Sequence, residues 1–158
     1  MAQTLTMREL VHQDAVTVSL DVSTKKDVLQ TIAASAASLL GKEALSVFDV
    51  LWERERLGTT GVGNGIAIPH GRVPGLDKVA GFFTRLSRPV NFDSIDDKPV
   101  DLIFLLLAPE TAGADHLHAL ATVSRLLRNP KLCEQLRAAK DEAALYRILV
   151  ETSSAQAA

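Results

Sequence analysis

One short stretch of this sequence combines a nucleophile with the backbone freedom to expose it. Gly58-Thr-Thr-Gly-Val-Gly-Asn-Gly-Ile-Ala-Ile-Pro-His-Gly71 holds five glycines in fourteen positions and places an imidazole next to its end. Glycines at 61, 63 and 65 allow positive φ and close approach of other atoms, at an entropic cost that a plain turn rarely incurs three times. Successive backbone N–H groups in such turns make anion-binding nests. Thr59, Thr60, Gly61, Gly63, Asn64, Gly65 and Gly71 are therefore candidate phosphate-binding positions. Two specific nucleotide motifs fail: Asn64-Gly65 stand where a P-loop needs Lys and Ser/Thr, and Ile66 stands where a dinucleotide loop needs its third glycine.

Pro69 fixes its own φ and Gly71 follows His70, so this imidazole has little bulk beside it and is open to solvent. Neutral imidazole, with an unperturbed pKa of about 6.5, is a nucleophile at neutral pH. Attack on phosphorus would give a phosphoramidate, a species suited to passing the group onward. The plainer alternative is a surface-loop histidine whose glycines serve only the turn. Composition leaves the two level.

Helical geometry separates two further histidines. His116 shares a face with Leu120, Val123 and Leu127, whereas His118 lies with Thr122 and Arg125. His116 should point inward from the first turn of its helix, either meeting His70 at the sheet rim or serving the core edge. One metal ion cannot take both histidines, since i and i+2 on a helix diverge by about 200°. Neither a metal nor a cofactor is expected. Arg54, in the last turn before the glycine stretch, is a candidate fork for phosphate oxygens, while Arg56 is assigned to the helix end.

The elements that must position these groups follow from periodicity. Val16–Leu20 alternates as a strand; Ser23 or Thr24 caps a helix carrying Val28, Leu29, Ile32, Ala36, Leu39 and Leu40, stopped by Gly41. Ser46 is expected to cap a helix over Val47–Leu57. Ile66–Ile68 and Val79–Leu86 read as strands, and the unbroken apolar run in Val100–Leu107 as a central strand buried on both faces. Asp115 is expected to cap a helix to about Arg128. Asn129-Pro130 breaks it before a short helix over Lys131–Lys140, and Asp141 caps a last helix to Val150. This order predicts an α/β fold, a mixed β-sheet sandwiched between helices on both faces, as one domain over 1–150 with a flexible tail at 151–158.

Composition bounds the partners. The 158 residues are 47% hydrophobic and 23% charged, with 17 Lys+Arg against 19 Asp+Glu, and no short window is dominated by basic residues. Nucleic-acid binding is not expected. Leu102–Ala108, the longest apolar run, is far short of the ~20 residues that span a bilayer. The start carries no basic-then-apolar secretory pattern. With Cys133 the only cysteine, no intrachain disulfide can form, and a cytoplasmic setting is expected.

The run from Arg54 through Gly-x-Gly-x-Gly-Ile-Ala-Ile-Pro-His70, with Asn91-Phe-Asp-Ser-Ile-Asp, Pro99-Val-Asp-Leu-Ile-Phe and His116-Leu-His-Ala-Leu, resembles the mannitol/fructose-type enzyme IIA domains of the bacterial phosphotransferase system. The nitrogen-regulatory branch (IIA-Ntr, PtsN) resembles it most. That resemblance implies that His70 accepts a phosphoryl group on Nε2 from a phosphohistidine of an HPr/NPr-type carrier. It also implies that His116 and Arg54 are the second histidine and the arginine of the active site. Regulatory partners such as potassium-transport components or sensor kinases would then read the phosphorylation state. The alternative is a sugar-uptake IIA component passing phosphate to a separate IIB protein. A histidine phosphatase fits poorly, because the Arg-His-Gly signature of such enzymes is here Pro69-His70-Gly71.

Overall fold

In a computed structural model, residues 6–157 are described, with side chains for 6–151. The reading of the extreme amino terminus and of Ala158 lies outside the described residues. The elements are α1 (Met7–Leu10), β1 (Val11–Leu20), α2 (Lys25–Leu40), α3 (Ala44–Leu57), β2 (Gly61–Gly63), β3 (Ile66–Ala67), β4 (His70–Val73), β5 (Ala80–Val90), β6 (Val100–Pro109), α4 (Ala114–Leu127), α5 (Pro130–Ala138) and α6 (Glu142–Ala157). Among the described residues no helix is long and apolar enough to cross a membrane.

The sheet runs β1-β5-β6-β3-β2, with β4 also paired to β6. β5 and β6 are antiparallel, whereas β1 runs parallel to β5, and both β3 and β4 run parallel to β6. β6 is the central strand that its unbroken apolar run predicts: Val100 and Leu102–Ala108 are all buried. Helices lie on both faces. A side chain at Gly71 would strike Val50 of α3, while its neighbour His70, pointing the other way, meets His116 of α4.

Several helix ends match their signals. Thr24 Oγ1 accepts from Asp27 N, Gly41 takes the left-handed conformation at φ 67°, and Asn129 Oδ1 accepts from Lys131 N and Leu132 N. Asp141 Oδ1 accepts from Ala144 N at 2.8 Å. Two expected caps are corrected. Glu43 stands at the cap position of α3, so Ser46 lies inside the helix. Gly113 stands at the cap position of α4, leaving Asp115 in the first turn, where it complements the helix dipole without a capping bond. The last helix continues past Val150 to Ala157.

Three elements escaped the periodicity argument. α1 is a single turn held by Thr6, whose Oγ1 accepts from Glu9 N and donates to Glu9 Oε1. β2 and β4 are too short to show alternation. The Arg137 guanidinium on α5 anchors the β2–β3 hairpin, gripping Asp101 of β6 at 2.8 and 2.9 Å and Asn64 O at 3.0 Å.

Candidate active site

β3 and β4 form one line beside β6, interrupted at Ile68-Pro69. Ile66 pairs with Leu102 and His70 with Leu106. The interruption tilts a carbonyl toward the ring: His70 Nδ1 lies 2.8 Å from Ile68 O. A carbonyl only accepts, so Nδ1 carries the proton and Nε2 is left with its lone pair. His70 is half-buried. Its pKa is lowered, first by burial and then by the Arg54 guanidinium; the Ile68 bond and the Glu55 charge oppose the shift.

α4 delivers the second imidazole. His116 is only 7% exposed, and its ring stands edge-on to His70 with centroids 5.8 Å apart and planes at 65°. His118 is exposed, as the helical face requires. Among the described residues, His116 Nε2 is buried without a hydrogen-bond partner. Its pKa is lowered by burial, then by the neighbouring His70 and Arg72. Both rings are thus uncharged near neutrality.

These shifts set a pH dependence of stability. The unfolded chain binds more protons than the native one just below the ordinary histidine pKa of about 6.5. Stability contributed by the neutral pair is therefore present above that pH and lost as pH falls through the lowered native values. The urea midpoint should fall from pH 7.5 to 5.5, and less steeply in a His70→Ala, His116→Ala double variant. An identical pH dependence in that variant would contradict the assignment.

Arg54 sits in the last turn of α3, and its Nη1 donates to Gly58 O at 3.0 Å. Arg56 instead pairs with Glu53 at the surface, 2.9 Å away. The residue between them carries structural weight. Glu55 is 6% exposed and accepts from Thr60 Oγ1 at 2.6 Å, Thr60 N at 2.9 Å and Lys25 Nζ at 2.7 Å. Lys25 also donates to Phe92 O, and Thr59 Oγ1 donates to the same carbonyl at 2.6 Å. A buried, fully partnered acid thus ties α2, α3 and the Phe92 loop to the start of the glycine segment. Sequence reasoning missed Glu55 and Lys25, because a lone acid and a lone lysine on two helices carry no motif.

The glycine segment divides in two. Ile68 N donates to Thr60 O, so Thr59 and Thr60 run beside the strand break. Their hydroxyls already donate within the protein. Gly61 pairs with Ala67, and Asn64-Gly65, at φ 58° and 80°, form the two-residue turn of the β2–β3 hairpin. That turn type requires positive φ at both positions, which Asn tolerates and Gly prefers. Ile66 and His70 are four positions apart along β6, about 13 Å at ~3.3 Å per residue. The structure therefore does not bring Gly63, Asn64 or Gly65 to His70. Gly71 serves close approach to α3.

Cys133 is a buried thiol donating to Leu127 O, its pKa raised by burial. It takes no part in this site.

Comparisons with known proteins establish the family and the fold. Residues 9–152 match the family described as phosphoenolpyruvate-dependent sugar phosphotransferase system, EIIA 2. A nitrogen regulatory protein of Bradyrhizobium diazoefficiens is 54% identical over 141 residues, covering 89% of this chain and 92% of the relative. A nitrogen regulatory protein of Escherichia coli K12 is 37% identical, covering 94% and 92%. A fructose-specific EIIA component of Haloferax volcanii is 36% identical, covering 79% and 80%. The crystal structure of nitrogen regulatory protein IIA-Ntr from Neisseria meningitidis superposes with a TM-score of 0.84 at 34% identity, covering 89% of this chain and 97% of that one. The chain belongs to the type-2 enzyme IIA family of the phosphotransferase system, in its nitrogen-regulatory branch.

Proposed function

We propose that His70 takes a phosphoryl group on Nε2 from the phosphohistidine of an HPr- or NPr-type carrier, and that regulatory partners read the resulting charge. The observation that carries this is the Nδ1–Ile68 bond, which leaves Nε2 as the ring's lone-pair nitrogen beside a second imidazole. The Nε2 lone pair forms the new N–P bond as the donor's N–P bond breaks. The electron pair returns to a donor ring that, like His70, holds a proton on its other nitrogen. No proton need change hands, so positioning governs the rate. The group brings nearly two negative charges. Arg54 offsets part of them, and the unpartnered His116 Nε2, protonated in the matching tautomer, donates to a phosphoryl oxygen. Such a relay places the protein in the cytoplasm, where a potassium-transport component or sensor kinase is a suitable reader.

Incubation with phosphoenolpyruvate, enzyme I and the carrier should add one acid-labile group of about 80 Da, one PO₃ on the histidine nucleophile. No addition would overturn the reading. His116→Ala should still be labelled, about tenfold more slowly, the equivalent of one lost hydrogen bond; an unchanged rate would remove His116 from the site. The fructose-specific relative supports a second reading, in which a IIB protein drains the phosphorylated form. Loss of label to an added IIB domain would favour it over regulation.

A further inference from the structure

Arg72 lies on the strand that carries His70. It follows His70 by two positions on β4, so both side chains leave the same face of the strand, their Cα atoms about 7 Å apart. That is the face on which His116 lies. Arg72 is exposed, and its Nη1 reaches Glu110 O only at 3.5 Å, the outer limit of a hydrogen bond. Its charge is nonetheless felt at His116.

The groups facing His70 leave a gap that such a cation fills. From α3, Arg54 and Glu55 act on His70 in opposite senses, and Glu55 is itself paired with Lys25 of α2. From α4, His116 offers a donor without charge. Arg54 Nη1 is already donating to Gly58 O. A phosphoryl group on Nε2 presents three oxygens, and its charge exceeds what one partly offset guanidinium supplies.

We propose that Arg72 is a second guanidinium ligand of the phosphoryl group, leaving Glu110 O to grip it once His70 is loaded. This rests on the reading of His70 given above. A loosely held cation would make the loaded and bare surfaces differ in shape as well as charge, because the same side chain is drawn inward in one and points outward in the other.

The test is the second ionisation of the phosphoryl group, followed by phosphorus NMR in protein loaded with phosphoramidate. A cation in contact favours the dianion and lowers that pKa. Arg72→Ala should raise it by about one unit relative to wild type, and Arg72→Lys should restore most of the difference. Arg72→Ala should also shorten the lifetime of the loaded form severalfold. Equal pKa values in wild type and Arg72→Ala, with His70 loaded in both, would overturn this proposal alone. Failure of wild type to load at His70 from either phosphoramidate or the carrier would overturn the reading beneath it, and this proposal with it.

Discussion

In His70→Ala, phosphoryl uptake from the carrier is expected to fall to background while the fold persists. His70 is half-buried and makes one hydrogen bond, to Ile68 O. Its loss should cost about 1 kcal/mol, small against a domain stability of about 5–15 kcal/mol. Uptake as proposed, by contrast, depends on a lone pair at one place. His116 is not expected to substitute: it is buried, with its ring edge-on to His70. His118 and His12 are exposed, but neither has a carbonyl-held ring beside a second imidazole. Intact mass and urea unfolding on one preparation separate loss of acceptor from loss of fold. Labelling of His70→Ala at the wild-type level would place the acceptor elsewhere.

Glu55→Ala should be the most damaging single change to stability among those considered, about 2–4 kcal/mol. It removes the nearest anion to Lys25, leaving that ammonium Phe92 O and the more distant Asp93 at 3.7 Å, and it removes the acceptor of both Thr60 N and Thr60 Oγ1. Two buried Thr60 donors lose their acceptor and the Lys25 charge loses its nearest partner, which is why the cost exceeds that of an ordinary hydrogen bond. Glu55→Gln keeps an acceptor for Thr60 and should lose less. The midpoint of urea unfolding measures both, and a loss below about 1 kcal/mol in Glu55→Ala would show that the pair contributes little. Because Glu55 fixes the segment before the strand break, phosphoryl uptake should slow in both variants.

How legible the site was in the sequence depended on whether its parts carried a local pattern. His70 announced itself through proline and glycine neighbours, and His116 through its place on an apolar helical face. β6 was readable because burial on both faces demands an unbroken apolar run. The glycines were harder. Asn64-Gly65 between short apolar stretches is a hairpin signal, yet the same residues also suit an anion nest, and only strand register separates the two. Ser46 and Asp115 are good capping residues by type, yet they lie in the first turns of helices whose cap positions are Glu43 and Gly113, neither of which makes a side-chain capping bond. Glu55, Lys25 and Arg72 were silent because their partners are brought in by topology: α2 to α3, and β4 to α4.

Phosphoryl transfer as proposed requires one nitrogen of one ring, His70 Nε2, to be free. The most direct measurement is a proton–nitrogen correlation spectrum of the phosphorylated protein with nitrogen-15 histidine, which distinguishes Nε2 from Nδ1 by their couplings. Phosphorus on His70 Nε2, with the Nδ1 proton still held by Ile68 O, is the predicted result. Phosphorus on Nδ1 of His70, or on any other histidine, would contradict it.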